Sequence, residues 1–406
     1  MKVKNIYFEN FFLNSKKLKK NLKFNVKKTK RTIKNLEKDI KSNKIPLIKV
    51  YSKNNSFNFT NADIKKYQKF KSIIIIGMGG SILGAKAIHS FLKHKIIKTV
   101  YFLDNLDVNY HLNIRKINNL KNFLFIIVSK SGNTLETLAN LGSLPKNSIS
   151  KKNTIFIVEK TNNLLNNFAK KINAQIIQHK NYVGGRFSVL SEVGVLPSLL
   201  FGLKKNNLLN SLSSIFNKKI KNALIHSVSH ILTYNGKNIT NNVLLNYCSK
   251  LNDFCLWKQQ LMGESLGKKG KGITPIFSPA PKDHHSLMQL YVDGPKDKFF
   301  TIFSSDDKLS YKVSNKIISN KLNFIKNKKI NEIILAQSLA TKKVFLEKKI
   351  PFRTFHLKKQ DEESLGILFS FFILETIILA RTMNVNPFDQ PAVEQIKIET
   401  KNFLNY

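Results

Sequence analysis

Cysteine is scarce in this chain: among 406 residues only Cys248 and Cys255 occur. Both fall in an apolar helical pattern, with no Cys-X-X-Cys pair and no histidine nearby. A structural zinc site needs several cysteine or histidine ligands, and a disulfide framework needs an oxidising compartment. The sequence therefore predicts no metal site and a protein of a reducing compartment.

Long apolar runs are also missing. The most apolar uncharged stretch, 364–374, is about half as long as a bilayer requires, and Glu375 interrupts the pattern beyond it. The apolar run 11–13 is far too short for the core of a signal peptide. We expect a cytoplasmic protein without a membrane partner, in which the stretch 364–374 forms a buried helix.

Acidic residues and arginines are few for the size of the chain. Lysine and arginine total 68 against 25 acids, a formal charge of +43, yet only five of the 68 are arginines. Nucleic-acid-binding proteins usually favour arginine, whose planar fork matches phosphates and bases. Because the lysines are spread along the whole chain, we expect attraction of anionic metabolites and loose, salt-sensitive adhesion to nucleic acid, but no specific nucleic-acid partner.

A chain of this length predicts two domains, and its apolar pattern is that of an α/β protein. From Lys71, an apolar β-branched run (72–76), a glycine turn and a helical pattern follow one another. Further strands are predicted at 99–103, 123–128 and 154–158. Strands that alternate with helices favour a parallel sheet covered by helices on both faces.

The second half of the chain has the same α/β character. Its predicted strands span 273–277, 299–303 and 352–356, and its predicted helices run through Ile231, through Leu261, from Ile330 to Phe345 and onward from Leu365. We divide the chain into four segments: an amino-terminal helical extension (1–45), a first α/β domain (46–200), a second α/β domain (201–380) and a carboxy-terminal helical arm (381–406).

A glycine turn, GMGGS at 77–81, joins the first strand to its helix. This geometry points main-chain N–H groups at a phosphate. A dinucleotide site is one alternative, with Asp104 after the second strand as its ribose partner. That fingerprint requires a third glycine where Ile82 stands, so the signal for a nicotinamide cofactor is incomplete.

Three hydroxyls and a cation meet in the loop after the third strand: Ser129, Lys130, Ser131 and Thr134. At the start of a helix, a phosphate monoester accepts hydrogen bonds from side chains and from helix N–H groups together. The alternative is that Ser131 or Asn133 only caps the helix. One cap needs one hydroxyl or amide, so a loop with three hydroxyls favours phosphate binding.

Glu264 follows a helical run and precedes Gly267, so it stands near a helix end at the mouth of a loop. A general base belongs in such a place, although a single glutamate is more often a solvated surface residue. His285 follows further along the chain beside Ser286, and a histidine with polar neighbours moves protons near neutral pH. Glu264 and His285 together are candidates for proton-transfer chemistry.

Arg186 lies between paired glycines and Ser188, where a fixed cation can hold an oxyanion; a surface arginine in a turn is the alternative. Near the carboxy terminus, Gln390 precedes Pro391, which suits the first turn of a helix. Lys397 falls on the same predicted helix. In so lysine-rich a chain, no physical argument from the sequence singles it out.

Six segments, in this order along the chain, resemble the phosphoglucose isomerase (glucose-6-phosphate isomerase) family in its compact bacterial form. They are GMGGSILG (77–84), SKSGNTLET (129–137), VGGRFSVLSEVGVLP (183–197), GESLGKKG (263–270), DHHSLMQ (283–289) and FDQPAVEQIK (388–397). The resemblance implies two sugar-isomerase domains of flavodoxin-like type. It also implies an aldose–ketose isomerase that interconverts glucose 6-phosphate and fructose 6-phosphate through a cis-enediol(ate), with no cofactor and no metal.

The resemblance also implies roles for single residues. Glu264 would be the general base, His285 would help to open the sugar ring, and Lys397 would assist at the ring oxygen. Arg186 would steady the enediolate. Residues implied to bind the substrate and its phosphate are Gly79, Ser81, Ser129, Ser131, Thr134 and Gln390. The resemblance further implies a homodimer in which His285 is supplied across the interface.

Rival functions stay open at this point. A bifunctional glucose-6-phosphate and mannose-6-phosphate isomerase would differ mainly in its tolerance at C2 of the sugar. A non-catalytic regulatory protein that binds sugar phosphates would keep the hydroxyl loop but would not need Glu264, His285 and Lys397 together. A nucleic-acid-binding protein would explain the charge but none of the motifs.

Overall fold

The computed structural model describes residues 2–11, 16–52, 55–209, 217–307, 311–314 and 320–405. Their strands are β1 (Lys2–Val3), β2 (Ile6–Phe11), β3 (Ser72–Ile76), β4 (Thr99–Leu103), β5 (Phe123–Val128), β6 (Thr154–Val158), β7 (Gln175–Gln178), β8 (Asn241–Asn246), β9 (Thr274–Pro279), β10 (Lys298–Ser305) and β11 (Phe352–Leu357). Their helices are α1 (Lys16–Lys41), α2 (Leu47–Val50), α3 (Asn61–Gln68), α4 (Leu83–Leu92), α5 (Val108–Arg115), α6 (Leu135–Gly142), α7 (Leu164–Lys171), α8 (Glu192–Leu200), α9 (Lys205–Leu209), α10 (Lys218–Asn235), α11 (Asn252–Leu266), α12 (Met288–Asp293), α13 (Ile330–Glu347), α14 (Glu362–Thr382) and α15 (Val393–Leu404). These strands form two separate sheets.

The five-stranded sheet belongs to the first half of the chain. Its strands are all parallel and lie in the order β4-β3-β5-β6-β7. The inner strand β3 carries consecutive isoleucines, Ile73–Ile76, with no exposed surface, as expected when a parallel sheet is covered on both faces. The predicted parallel sheet is confirmed. The sequence pattern does not predict the edge strand β7, because glutamines flank its short apolar pair, Ile176 and Ile177.

The six-stranded sheet has the order β1-β2-β11-β10-β8-β9, and its strands β8 to β11 run parallel. The sequence pattern does not predict strand β8, because asparagines shorten its apolar run. Asn242 is fully buried, and its amide donates to Oγ1 of Thr301 on the neighbouring strand over 3.0 Å. The polar side chain is therefore satisfied inside the sheet. Two parallel-stranded α/β halves confirm the expected fold class.

The amino-terminal residues 2–11 form strands rather than the predicted helix. Strand β2 pairs antiparallel with β11, and the rings of Phe8 and Phe355 pack with centroids 4.8 Å apart. Ile6 and Phe8 are buried, so this segment joins the core of the second sheet. Its buried residues follow the two-residue period of a strand, a pattern that the surrounding lysines and asparagines obscure. The four segment boundaries stay predictions.

The apolar stretch beyond Ser364 belongs to α14, the one helix of the described ranges that is long and apolar enough to cross a membrane. In its most apolar window, 94% of the residues are buried inside the chain. Helix α14 contacts α1, α9, α10 and α11, which explains why it is apolar around its whole circumference. The predicted buried helix is confirmed.

A buried ion pair joins α14 to the second sheet. The side chains of Arg353 on β11 and Glu375 on α14 are 3% and 2% exposed, and NH2 of Arg353 donates to Oε2 of Glu375 over 3.1 Å. Burial alone would raise the pKa of Glu375, but the guanidinium of Arg353 holds that pKa below its ordinary value. Burial also lowers the pKa of the nearby Lys258 amine to about 7. Arg353 and Glu375 therefore depend on each other for charge compensation.

We predict that Glu375→Leu lowers the free energy of unfolding by about 3–5 kcal/mol, because the Arg353 guanidinium then stays buried without its counterion. The double variant Arg353→Met/Glu375→Leu removes both charges, and we expect it to be clearly more stable than the single variant. Unfolding in guanidinium chloride, followed by circular dichroism, measures both. A single variant as stable as the double variant would contradict the interpretation.

Candidate active site

A cleft of about 290 Å³ lies between the loops of the first sheet and the end of α11. Both halves of the chain contribute to its walls, which are formed by Met78, Gly80, Ser81, Lys130, Ser131, Thr134, Glu159, Gly185, Arg186, Gln260, Glu264, Gln390 and Lys397. The carboxyl ends of β3, β5 and β6 lead into these loops. Open α/β sheets bind their ligands at this edge.

Two glycine-containing 3-10 turns touch beside the cleft, one after β3 and the other before α8. A Cβ atom on Gly80 would lie 2.1 Å from the carbonyl carbon of Gly185, and one on Gly79 would lie 2.7 Å from Nε2 of Gln260. Glycine is therefore required at Gly80 for the two turns to touch, and at Gly79 because its φ of +51° lies in the left-handed region. Ser81 lines the cleft, whereas Gly79 does not.

An ion pair between Arg186 and Glu264 lies at the cleft. NH1 of Arg186 donates to Oε2 of Glu264 over 2.9 Å, and the two side chains are 1% and 28% exposed. Glu264 stands in the last turn of α11, as its sequence context predicts. Its other oxygen, Oε1, accepts a hydrogen bond from Nε2 of Gln260 over 2.8 Å. The carboxylate is held in one orientation and still has an accessible face.

All five N–H donors of Arg186 have acceptors inside the protein. One donor goes to Glu264, and the others go to Oγ of Ser265 (2.9 Å), the side chain of Gln390, and the main-chain carbonyls of Pro387 (2.6 Å) and Asp389 (2.9 Å). Burial lowers the pKa of Arg186 and the Glu264 carboxylate raises it, but an arginine side chain remains charged. This fixed cation ties α11 to the carboxy-terminal arm.

Gln260 is a site residue that the sequence reasoning missed. It lines the cleft one helical turn before Glu264, and its amide orients the carboxylate. Its own Oε1 is buried without a hydrogen-bond partner in the described part of the chain. Leaving a buried acceptor unpaired is costly. The available sequence signal is the four-residue spacing that places Gln260 and Glu264 on one helix face.

The hydroxyl loop (129–134) faces the cleft with Ser131 and Thr134, while Ser129 is 1% exposed and does not line it. The hydroxyls of Ser129 and Thr134 are 2.8 Å apart. Thr134 is the N-cap residue of α6, yet its side chain makes no capping hydrogen bond. The side chain of Asn133 accepts instead from the N–H of Leu164 over 3.0 Å. Oγ of Ser131 accepts from the N–H of Asn133 over 3.3 Å, just before the helix begins. Ser131 and Thr134 both line the cleft, so their hydroxyls can reach a ligand, and phosphate binding by this loop stays a prediction.

Gln390 and Lys397 also line the cleft, but His285 does not. His285 is an exposed residue in the 3-10 turn 282–285. Helix α15 begins at Val393, two residues after Pro391. Lys397 extends from α15 and donates to Oε1 of Glu394 over 2.6 Å. The chemical roles of these residues stay predictions.

Asp104, the acidic residue that the dinucleotide alternative requires, already has partners for both carboxylate oxygens. Oδ2 of Asp104 accepts from Nζ of Lys86 over 2.6 Å, and Oδ1 accepts from the hydroxyl of Tyr110 over 3.2 Å.

Among the described residues, no group of three or more His, Cys, Asp or Glu side chains is placed to hold a metal ion. The cleft combines a carboxylate, a fixed cation and a hydroxyl loop, a set suited to proton transfer on an anionic ligand.

Comparison with known proteins identifies the family. The family model for phosphoglucose isomerase matches residues 49–405. The chain belongs to the phosphoglucose isomerase family. It is 35% identical to a glucose-6-phosphate isomerase of Methanocaldococcus jannaschii, over 82% of this chain and 84% of that protein. It is 31% identical to one of Campylobacter jejuni, over 84% of this chain and 87% of that protein.

Solved structures support the phosphoglucose isomerase fold. A hypothetical protein from Thermus thermophilus superposes with a TM-score of 0.82 at 22% identity and covers 96% of both chains. A glucose-6-phosphate isomerase from Chlamydia trachomatis superposes with a TM-score of 0.69 at 20% identity, covering 85% of this chain and 72% of that one. At these identities the likeness concerns the fold alone, and it agrees with the two-sheet architecture.

We predict that Ser131→Ala/Thr134→Ala weakens the binding of 6-phosphogluconate, a sugar-acid phosphate, by roughly ten- to hundredfold, because two hydroxyl hydrogen bonds to a charged phosphate are lost. Isothermal titration calorimetry measures the affinity. The control is Ser143→Ala at the other end of α6, which removes a hydroxyl that donates only to the carbonyl of Ala139. Equal affinity in the double variant and the control would rule out the phosphate assignment.

Proposed function

We propose that this cleft interconverts glucose 6-phosphate and fructose 6-phosphate, a step of glycolysis and gluconeogenesis. Family membership supports an aldose–ketose isomerase. The observation that carries the proposal is the ion pair of Glu264 and Arg186, 2.9 Å apart, in one cleft with Ser131 and Thr134. An isomerase of a phosphorylated sugar needs a base, a cation near the developing charge and a phosphate site.

Glu264 is proposed as the base that carries the proton between C2 and C1. Removing the proton from C2 of the open-chain aldose gives a cis-enediol(ate), and returning it to C1 gives the ketose. One carboxylate on one face of the substrate can perform both steps. The hydrogen bonds from Gln260 and Arg186 hold the carboxylate in place before the substrate arrives, which lowers the cost of orientation.

Arg186 is proposed to stabilise the enediolate, although none of its N–H donors is free to bind the substrate directly. Because all its donors already have acceptors, it cannot bind a substrate oxygen without exchanging a partner. Gln390 is the exchangeable partner, since its side chain is exposed and lines the cleft. Until that exchange, the guanidinium acts through its electric field, which is strong in a partly buried site.

Ring opening is proposed for His285 and Lys397, on the family resemblance. Lys397 lines the cleft, but His285 lies on an exposed turn outside it. We therefore propose a homodimer in which His285 serves the cleft of the neighbouring subunit. We also propose a cytoplasmic location, which the two free, buried cysteines support.

We predict that Glu264→Gln lowers turnover by about two to four orders of magnitude, because the amide cannot accept the C2 proton. The fold should survive with a lowered melting midpoint, since the new amide oxygen can still accept from Arg186 but the buried guanidinium loses its counterion. Loss of deuterium from C2-labelled glucose 6-phosphate, followed by NMR, measures the proton transfer. Exchange at the wild-type rate would remove Glu264 from its role.

The matched variant is Glu264→Asp, which keeps a carboxylate but retracts it by one methylene. We expect it to retain more activity than Glu264→Gln, because a misplaced base still accepts protons. Thermal unfolding of both variants measures how far each substitution weakens the fold. This pair separates loss of the base from loss of structure.

A shared site predicts complementation between inactive variants. Subunits carrying Glu264→Gln and subunits carrying His285→Gln are each expected to be nearly inactive. A mixed dimer holds one site with both wild-type residues and one with neither. After joint unfolding and refolding, about half the dimers are mixed, so activity should recover to roughly a quarter of the wild-type value.

The control for complementation is the same pair of proteins mixed without unfolding, which should stay inactive while subunits do not exchange. Wild-type protein refolded in parallel must regain its activity. If it does and the refolded mixture shows no recovery, then both residues belong to one subunit's site or His285 is not catalytic. In either case the shared-site dimer is excluded.

A further inference from the structure

A second carboxylate lies at the phosphate end of the cleft. Glu159 follows β6 and lines the cleft together with Lys130, Ser131 and Thr134. Its side chain is 20% exposed, and no step of the proposed reaction uses it. Glu159 and Glu264 are the two carboxylates that line the cleft within the described ranges. Glu264 is paired with Arg186, so the position of Glu159 beside the hydroxyl loop calls for a separate explanation.

Glu159 forms an ion pair with Lys130, the cation of the hydroxyl loop. Nζ of Lys130 lies 3.4 Å from Oε1 of Glu159 and donates a hydrogen bond to the carbonyl of Asn181 over 2.7 Å. Both acceptors come from outside the hydroxyl loop. The charge of Lys130 is therefore partly neutralised before any ligand enters, and a phosphate must compete with Glu159 for it.

The main chain keeps Glu159 at this place. Its N–H donates to the carbonyl of Lys130 over 3.2 Å, and its carbonyl accepts from Nδ2 of Asn166 over 2.7 Å and from Nδ2 of Asn163 over 3.2 Å. These bonds involve main-chain atoms of Glu159, so they persist when its side chain changes. They fix the position of the Glu159 main chain, so the carboxylate stays within one side-chain length of the phosphate end.

We infer that Glu159 is an affinity-limiting residue: its charge opposes the phosphate of the substrate and divides Lys130 between the protein and the ligand. This inference rests on the proposed function, because it takes the phosphate to bind at the hydroxyl loop. A chain with a formal charge of +43 attracts anions strongly over a distance. Equal tightening on substrate and product does not accelerate the chemistry and retains the product. Glu159 counteracts that tightening at the point of contact.

The test is Glu159→Gln, which keeps the shape and the main-chain bonds but removes the charge. We expect 6-phosphogluconate and inorganic phosphate to bind about three- to tenfold more tightly at low ionic strength, with a gain that shrinks as salt is added. The KM for fructose 6-phosphate should fall by a similar factor. The control is Glu347→Gln, which removes the same charge from an exposed position on α13 and should change neither affinity.

Two further variants make the result decisive. Lys130→Met should weaken 6-phosphogluconate, and in the double variant Glu159→Gln/Lys130→Met the gain from Glu159→Gln should be smaller than in the wild-type background. Unchanged or weaker binding in Glu159→Gln, in protein with a wild-type melting midpoint, overturns the inference and leaves the proposed function standing. Wild-type protein that neither binds 6-phosphogluconate nor converts fructose 6-phosphate would overturn the proposed function itself.

Discussion

The site depends on one buried guanidinium. Arg186 lies against the turn after β3, donates to Glu264 and Ser265 on α11, and holds the carboxy-terminal arm through Gln390 and two main-chain carbonyls. Removing a cation from water is costly, and the cost is offset only when its donors are all satisfied. The same bonds that make the cation tolerable therefore bring three distant parts of the chain to one cleft. The geometry of the cleft and the burial of Arg186 therefore depend on the same hydrogen bonds.

The cleft contains two pairs of opposite charges, one at each end. Arg186 balances Glu264 at one end, and Lys130 faces Glu159 at the other. An overall excess of cations brings anionic ligands close, but it carries no information about where a phosphate should sit. On the proposed function, the neutral hydroxyls of Ser131 and Thr134 place the phosphate.

Much of the fold was predictable because apolar β-branched runs such as Ile73–Ile76 leave few alternatives to a buried parallel strand. Strand β8 was not, since Asn242 satisfies its amide with Thr301, a partner far away in sequence. The same reason limits the site. The residue type and loop setting of Glu264 indicate a base, but the unpaired oxygen of Gln260 and the salt bridge of Glu159 exist only after folding. Local patterns report local preferences, and these features arise from contacts between distant segments.

Arg186 binds the carboxy-terminal arm through two main-chain carbonyls as well as through the side chain of Gln390, and this limits which sequence changes preserve the contact. Two of its bonds go to the carbonyl oxygens of Pro387 and Asp389, which every amino acid supplies. Substitutions at these two positions therefore leave those acceptors in place, whatever side chains they introduce. Insertion or deletion of a single residue between 387 and 390 shifts the main-chain register, so that carbonyls and the Gln390 side chain no longer meet the guanidinium together. For contact with Arg186, the main-chain register of this segment is therefore a stricter requirement than the side chains at 387 and 389.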